Sequence, residues 1–167
     1  MNICVLGNTQ AGKTTVGDAI ALGLAVGYWT NSSSIGDVLI EEWAEINGVD
    51  DSSAREVKDA IRPLLWLIGR ALERHDPLLL IHMCLERSNV VVGIRTMDEL
   101  QACVKEGVFD KYVWVSRKGF GQQAEDGIDV HQLLETVPYV CWLDNDDGID
   151  DLKGKATKLA ESWQDTQ

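Results

Sequence analysis

Ile3-Cys4-Val5-Leu6-Gly7-Asn8-Thr9-Gln10-Ala11-Gly12-Lys13-Thr14-Thr15-Val16 is the stretch on which the reading of the fold turns. Ile3 to Leu6 is a short apolar run closed by Gly7, the pattern of a buried strand ending in a turn. From Lys13 to Val26 the chain is rich in Ala, Leu, Val and Ile, the pattern of a helix. Between them, Gly7-x-x-x-x-Gly12-Lys13-Thr14 fills every fixed position of the Walker A phosphate loop. Glycines let the backbone wrap closely enough for its N–H groups to point inward at phosphate oxygens. The helix N-terminus contributes only about 0.3–1 kcal/mol at an exposed site, too little to select a polyphosphate. A full charge is needed, and Lys13 supplies it to the β- and γ-phosphates. The Thr14 hydroxyl is expected to ligate Mg²⁺. Asn8, Thr9, Gln10, Ala11 and Thr15 complete the expected grip on ATP. The bland reading, a glycine-rich turn beside an exposed lysine, does not account for a strand before the loop and a helix after it.

Outward from the loop, strands and helices alternate. Residues 28–34 read as a short strand running into a loop, and 35–46 as a helix closed by Asn47-Gly48. Residues 50–53 are polar and read as a loop. The helical pattern over 54–74 is interrupted by Pro63, which is tolerated in a first turn, so an effective start near Arg62 is expected. Asp76-Pro77 opens another helix to about Glu86. Asn89 to Ile94 holds three consecutive valines, the mark of a central strand covered on both faces. A helix over 97–105, a strand over 112–115, a glycine-bearing loop over 116–128, a short helix over 130–135, a strand over 140–143 and a helix over 149–163 follow. This alternation predicts an α/β, P-loop kinase-type three-layer sandwich. Its sheet would be mainly parallel, of about five strands, with helices on both faces. Residues 1–167 read as one domain, with a helical region at about 35–86 and a lid loop at about 116–129.

Bulk properties narrow the partners. Acidic residues outnumber Lys and Arg 27 to 15, giving a formal net charge of -12. Affinity for duplex DNA comes largely from cations that release phosphate counterions, so stable duplex binding is not expected. A small anion remains compatible, because a few local cations can reverse the potential inside one cleft. Cys4, Cys84, Cys103 and Cys141 are far apart, lack zinc spacing and sit in apolar stretches, so buried free thiols are expected. A reducing cytoplasm fits them. The chain opens directly into a strand pattern with no basic leader, and no apolar run approaches the roughly 20 residues of a membrane span. His75, His82 and His131 are isolated, and none forms a triad pattern.

A P-loop does not say what happens to the triphosphate. The Asn-Lys-x-Asp element that reads guanine is absent, and the Val90-Val91-Val92 strand ends in Gly93-Ile94-Arg95, an arginine where larger ATPases carry an acid. Four blocks taken in order resemble the phage and bacterial deoxynucleoside monophosphate kinases, a branch of the P-loop nucleoside monophosphate kinases. They are the P-loop; Arg62-Pro63-Leu64 with Gly69-Arg70 and Asp76-Pro77; Val91 to Arg95 with Glu99-Leu100; and Val113-Trp114-Val115-Ser116-Arg117 with Asp144-Asn145-Asp146 and Leu152. The P-loop is the specific block, and the others are loose patterns.

The resemblance implies transfer of the ATP γ-phosphoryl group to a nucleoside 5′-monophosphate, with ATP and Mg²⁺ required. It implies small nucleotides as partners, a bacterial or phage-infected host cytoplasm as the setting, and a homodimer as the candidate assembly. In such kinases arginines clamp the acceptor phosphate and the migrating group. Arg62 and Arg70 lie eight residues apart, about two helical turns, so one helix would show both to one cleft. Solvated ion pairs are the competing role. Arg95, just past a central strand, stands where open α/β sheets place ligands, with a structural salt bridge as the rival. Arg117, after the next strand, resembles a lid arginine, and related arginines contribute about 10³–10⁵ in rate. Ser34 and Asp37 lie where the family begins its acceptor helix: Asp37 would bind a sugar hydroxyl, orient the acceptor or hold Mg²⁺ through water, and helix capping is the plain alternative. Trp66 is either a base-stacking or a core residue. Asn145 is either an adenine contact or a turn residue. Catalytic weight is expected on Lys13, Arg95, Arg117 and Asp37.

The family often writes its strand end as Asp-x-Arg, whereas this chain has Gly93-Ile94-Arg95. That departure opens a second acceptor class, the hydroxyl of a hydroxymethylpyrimidine in DNA, which would need a general base such as Asp37. A nucleotide-gated binding module without kinase activity is the non-enzymatic alternative.

Overall fold

Four strands carry the architecture, and all are parallel: β1 (Ile3–Gly7), β3 (Val90–Val92), β4 (Lys111–Ser116) and β5 (Val140–Asp144). In this computed structural model a two-residue strand, β2 (Thr30–Asn31), continues the sheet beyond β3, so the order is β2-β3-β1-β4-β5. The expected sheet of about five strands is thus four strands of three residues or more with a two-residue extension. The structure describes residues 1–27, 30–31, 43–119 and 128–164.

Period-two alternation in β1 divides the core between the two faces. Ile3 and Val5 point to a cluster with Val16 and Ile20 of α1 (Lys13–Gly23) and Leu152, Ala156 and Ala160 of α6 (Ile149–Gln164). Cys4 and Leu6 point the other way, to Ile81 and Cys84 of α3 (Leu79–Leu85), Leu100 and Cys103 of α4 (Met97–Lys105) and Leu133 of α5 (Val130–Thr136). Helices therefore cover both faces of the sheet. Full burial of a Leu such as Leu6 or Leu152 stabilises by about 1.5–3 kcal/mol, which fixes each strand's register against its helix layer. The α1–α6 contact is close because it is made by small side chains: a Cβ on Gly23 would stand 3.0 Å from that of Ala160.

α2 corrects the sequence reading. It runs without interruption from Asp51 to His75, through Pro63. The polar segment read as a loop is its N-terminus: Asp50 accepts from Ser52 N–H at 3.0 Å and Ser53 N–H at 3.1 Å. Pro63 removes one helical hydrogen bond at a cost of about 3 kcal/mol, and packing outweighs it. Ile61, Ile68 and Leu72 on both sides of Pro63 pack against a small core of Ala44 and Leu80. Residues 43–47 are helical, in line with the end of the expected 35–46 helix, whose earlier residues lie outside the described ones. Among the described residues, no helix is long and apolar enough to cross a membrane.

Strand order creates the crevice. β1 has β3 on one side and β4 on the other, and the chain passes from β3 to β4 across it. In open parallel sheets ligands sit at such a switch point, beyond the carboxyl ends of the strands. The Gly7–Thr14 loop leaves β1 at that edge, and Gly93 to Arg95 leave β3 beside it.

Candidate functional site

The loop between β1 and α1 is shaped by its glycines. Gly7 has φ 146° and Gly12 φ 106°, conformations that side chains resist. Space forbids a side chain as well: a Cβ on Gly7 would stand 2.2 Å from the Val115 carbonyl oxygen, and one on Gly12 2.8 Å from Leu152 Cδ2. Gln10 completes the turn at φ 62° with its side chain exposed. Lys13 opens α1 and folds back over the loop, where its Nζ donates to the carbonyls of Gly7 at 2.9 Å and Asn8 at 2.8 Å. The ammonium is thereby held above the loop. Thr14 is exposed and Thr15 half-buried in the first turn of α1.

Gly7, Asn8, Thr9 and Lys13 of the loop line an open cleft together with Gly93, Ile94 and Arg95 beyond β3. Trp114 of β4 and Ile128 close its apolar side. Lys13 and Arg95, 82 residues apart in sequence, thus line one cavity. Arg95 is exposed at the end of β3, with its side chain available to a ligand. Gly93 turns the chain there at φ 90°, with its N–H on the Val5 carbonyl. An aspartate at 93 would have to hold that left-handed conformation, which glycine takes up without a Cβ penalty.

The remaining expected residues fall into three groups. Arg117 is exposed just past the carboxyl end of β4, on the cleft edge of the sheet. Arg62, Trp66 and Arg70 share α2; the side chains of Arg62 and Trp66 lie outside what the structure describes. Arg70 is half-buried, and its Nη1 pairs with Glu73 Oε2 at 2.6 Å. Ser34, Asp37 and residues 120–127 of the expected lid lie outside the described residues.

Asn145 directly follows β5 at the cleft edge of the sheet. Buried beneath the loop, it donates from Nδ2 to the Ala11 carbonyl at 2.9 Å. Its backbone N–H donates to the Ser116 carbonyl at 2.8 Å. One residue therefore ties the phosphate loop to the strand end from which Arg117 springs. Asp146 adds a second tie, accepting from Lys118 N–H at 2.7 Å.

Sequence reading overlooked Glu99 as a site residue. It is 1 % exposed, and its Oε2 accepts from the Arg95 N–H at 3.3 Å. Thr96 caps α4 by accepting from the Glu99 N–H at 3.2 Å. The Thr-x-x-Glu spacing of a capping box was the available signal. Burial, and then the Glu73 carboxylate, push the Glu99 carboxyl up to about 8. The Arg95 N–H and the Arg70 and Arg95 guanidiniums pull the other way.

The buried thiols are chemically quiet. Burial raises Cys4, and burial followed by Glu99 pushes Cys103 up to about 12, so both stay protonated near neutrality. Among the described residues no group of three or more His, Cys, Asp or Glu is placed to hold a metal. The donor set nevertheless fits Mg²⁺ bound with a polyphosphate, since Mg²⁺ keeps several waters and takes few protein ligands. Thr14, exposed beside Lys13, is the residue that would hold it.

No protein-family model matches the chain, and no curated protein shows significant similarity to it.

Proposed function

We propose that the chain is a P-loop kinase that moves the γ-phosphoryl group of ATP to a (deoxy)nucleoside 5′-monophosphate. The observation that carries the reading is the shared cleft: a loop shaped for phosphate, with Lys13 on it, lines one open cavity together with Arg95. An ATPase needs only the first half of that arrangement. Two cations lining one cleft suit a reaction that brings two anionic reactants together.

In this reading Lys13 neutralises the β- and γ-phosphates while the loop N–H groups hold them. An oxygen of the acceptor phosphate attacks the γ-phosphorus, the bond from that phosphorus to the bridging oxygen breaks, and ADP departs. Thr14 would hold Mg²⁺ together with the nucleotide phosphates, and the ion would supply further charge neutralisation when bound. Arg95 steadies the acceptor phosphate and the migrating group, and Arg117 closes over the donor from the end of β4. The acceptor phosphate is already a nucleophile, so no side-chain base is required. The work is positioning and charge neutralisation. Arg62, Arg70, Trp66, Ser34 and Asp37 belong to the acceptor side of the proposal.

The test is ADP formation from Mg–ATP with each ribo- and deoxyribonucleoside monophosphate in turn, and with DNA containing hydroxymethylpyrimidine. Stimulation by one or more monophosphates is expected. Stimulation by modified DNA alone would transfer the acceptor assignment to the base hydroxyl. ATP binding without acceptor-stimulated ADP release would leave a nucleotide-gated binding module.

A further inference from the structure

Glu99 is a charged side chain buried at the back of the acceptor wall, and the transfer reaction makes no direct use of it. Its Oε2 takes the Arg95 N–H, and its Oε1 has no hydrogen-bond partner among the described residues. The groups that face it are Arg70 and Glu73 from α2, Arg95 from the turn, Cys103 from its own helix and Cys4 from β1. Two of these are arginines assigned to the acceptor, and a third group, Glu73, holds Arg70 at 2.6 Å. A capping glutamate on a helix end normally keeps its carboxylate in water. This one stands in the core, where it touches the backbone of one acceptor-side arginine and lies within electrostatic reach of another.

We propose that Glu99 is the positioning residue of the acceptor wall, fixing the Arg95 turn through the Arg95 N–H and setting the charge behind Arg95 and Arg70. The proposal deepens the kinase reading and rests on it for the identity of the ligand. Neutral Glu99 adds no negative charge behind the two arginines, one of which already pairs with Glu73. Ionised Glu99 places a negative charge behind them and weakens their hold. Both neighbouring thiols remain protonated well above neutrality, so Glu99 is the group in this cluster that changes charge near 8.

Two measurements on the full chain decide it. In the ligand-free protein the Arg95 amide ¹⁵N resonance is followed as pH rises through 8. It is expected to titrate with a midpoint near 8 in wild type and to stay flat in Glu99→Gln, whose amide oxygen still accepts the Arg95 N–H. In steady-state kinetics, with the monophosphate that gives the fastest turnover, the wild-type acceptor KM is expected to rise roughly tenfold across the same step. The ATP KM should stay level. Glu99→Gln should keep the low-pH acceptor KM throughout. The proposal is overturned if the Arg95 resonance does not titrate, if it titrates equally in Glu99→Gln, or if acceptor and ATP KM move together. If no monophosphate stimulates turnover, the kinase reading fails on its own, and the resonance alone then decides whether Glu99 sets the charge at the Arg95 turn.

Discussion

Asn145 lies between two carbonyls, that of Ala11 in the phosphate loop and that of Ser116 at the end of β4. Removing its side-chain amide leaves a buried carbonyl unpaired, which costs about 1–3 kcal/mol. Asn145→Asp goes further, setting a carboxylate oxygen against the Ala11 carbonyl. We expect the ATP KM of Asn145→Asp to rise by roughly tenfold or more with the acceptor KM unchanged, measured by steady-state kinetics. Gly12→Ala meets both a left-handed φ and the 2.8 Å approach of Leu152, so it should lose about 1–3 kcal/mol of stability along with ATP binding. Glu99 leaves its mark on stability too. Its carboxyl is raised from 4.5 to about 8, so between those values the folded chain holds a proton that the unfolded chain has released. Folding stability therefore falls as pH rises through that window and levels off above it. Thermal unfolding should show Glu99→Gln gaining on wild type from pH 5 to 8, and parallel pH profiles for the two would refute the shift. At this scale Lys13 was legible because eight consecutive residues build the loop. The Asn145–Ala11 bond spans 134 positions and left no local trace.

α2 shows how packing overrides a local rule. Pro63 marks a break in the sequence, and Asp50 to Ser53 has the composition of a loop. The observed helix spans Asp51–His75 because its apolar face finds Leu80 and Ala44, and because Asp50 caps it. Pro63 is exposed, so Pro63→Ala restores a helical bond without disturbing the core. A gain of up to about 3 kcal/mol is expected, visible as a Tm increase of several degrees. No change, or a decrease, would mean that Pro63 has a packing role. β1, α1, β3, β4 and α6 were readable from periodicity and capping, since each buries a face of its own. β2 (Thr30–Asn31) falls within the 28–34 stretch read as a short strand, while its pairing with β3 is what no local pattern reports.

Across the whole molecule, function rests on strand order. Sequence reading anticipates parallel strands but does not say that β3 lies beside β1, and that adjacency is what brings Arg95 into one cleft with Lys13. The net charge of -12 belongs to this scale as well: the chain should show no measurable affinity for unmodified duplex DNA at physiological salt. Local cations in one cleft on an acidic body suit small anions and disfavour polyanions. The central claim is that the phosphoryl group passes from ATP to a second nucleotide within that cleft. It is tested most directly by following the label of γ-³²P ATP in the presence of the nucleoside monophosphates. The account predicts labelled nucleoside diphosphate, reduced about 10²–10³-fold or more in Lys13→Ala and by a similar factor in Arg95→Ala. Label found only as free phosphate, or transfer retained at near-normal rate in Lys13→Ala, would contradict it.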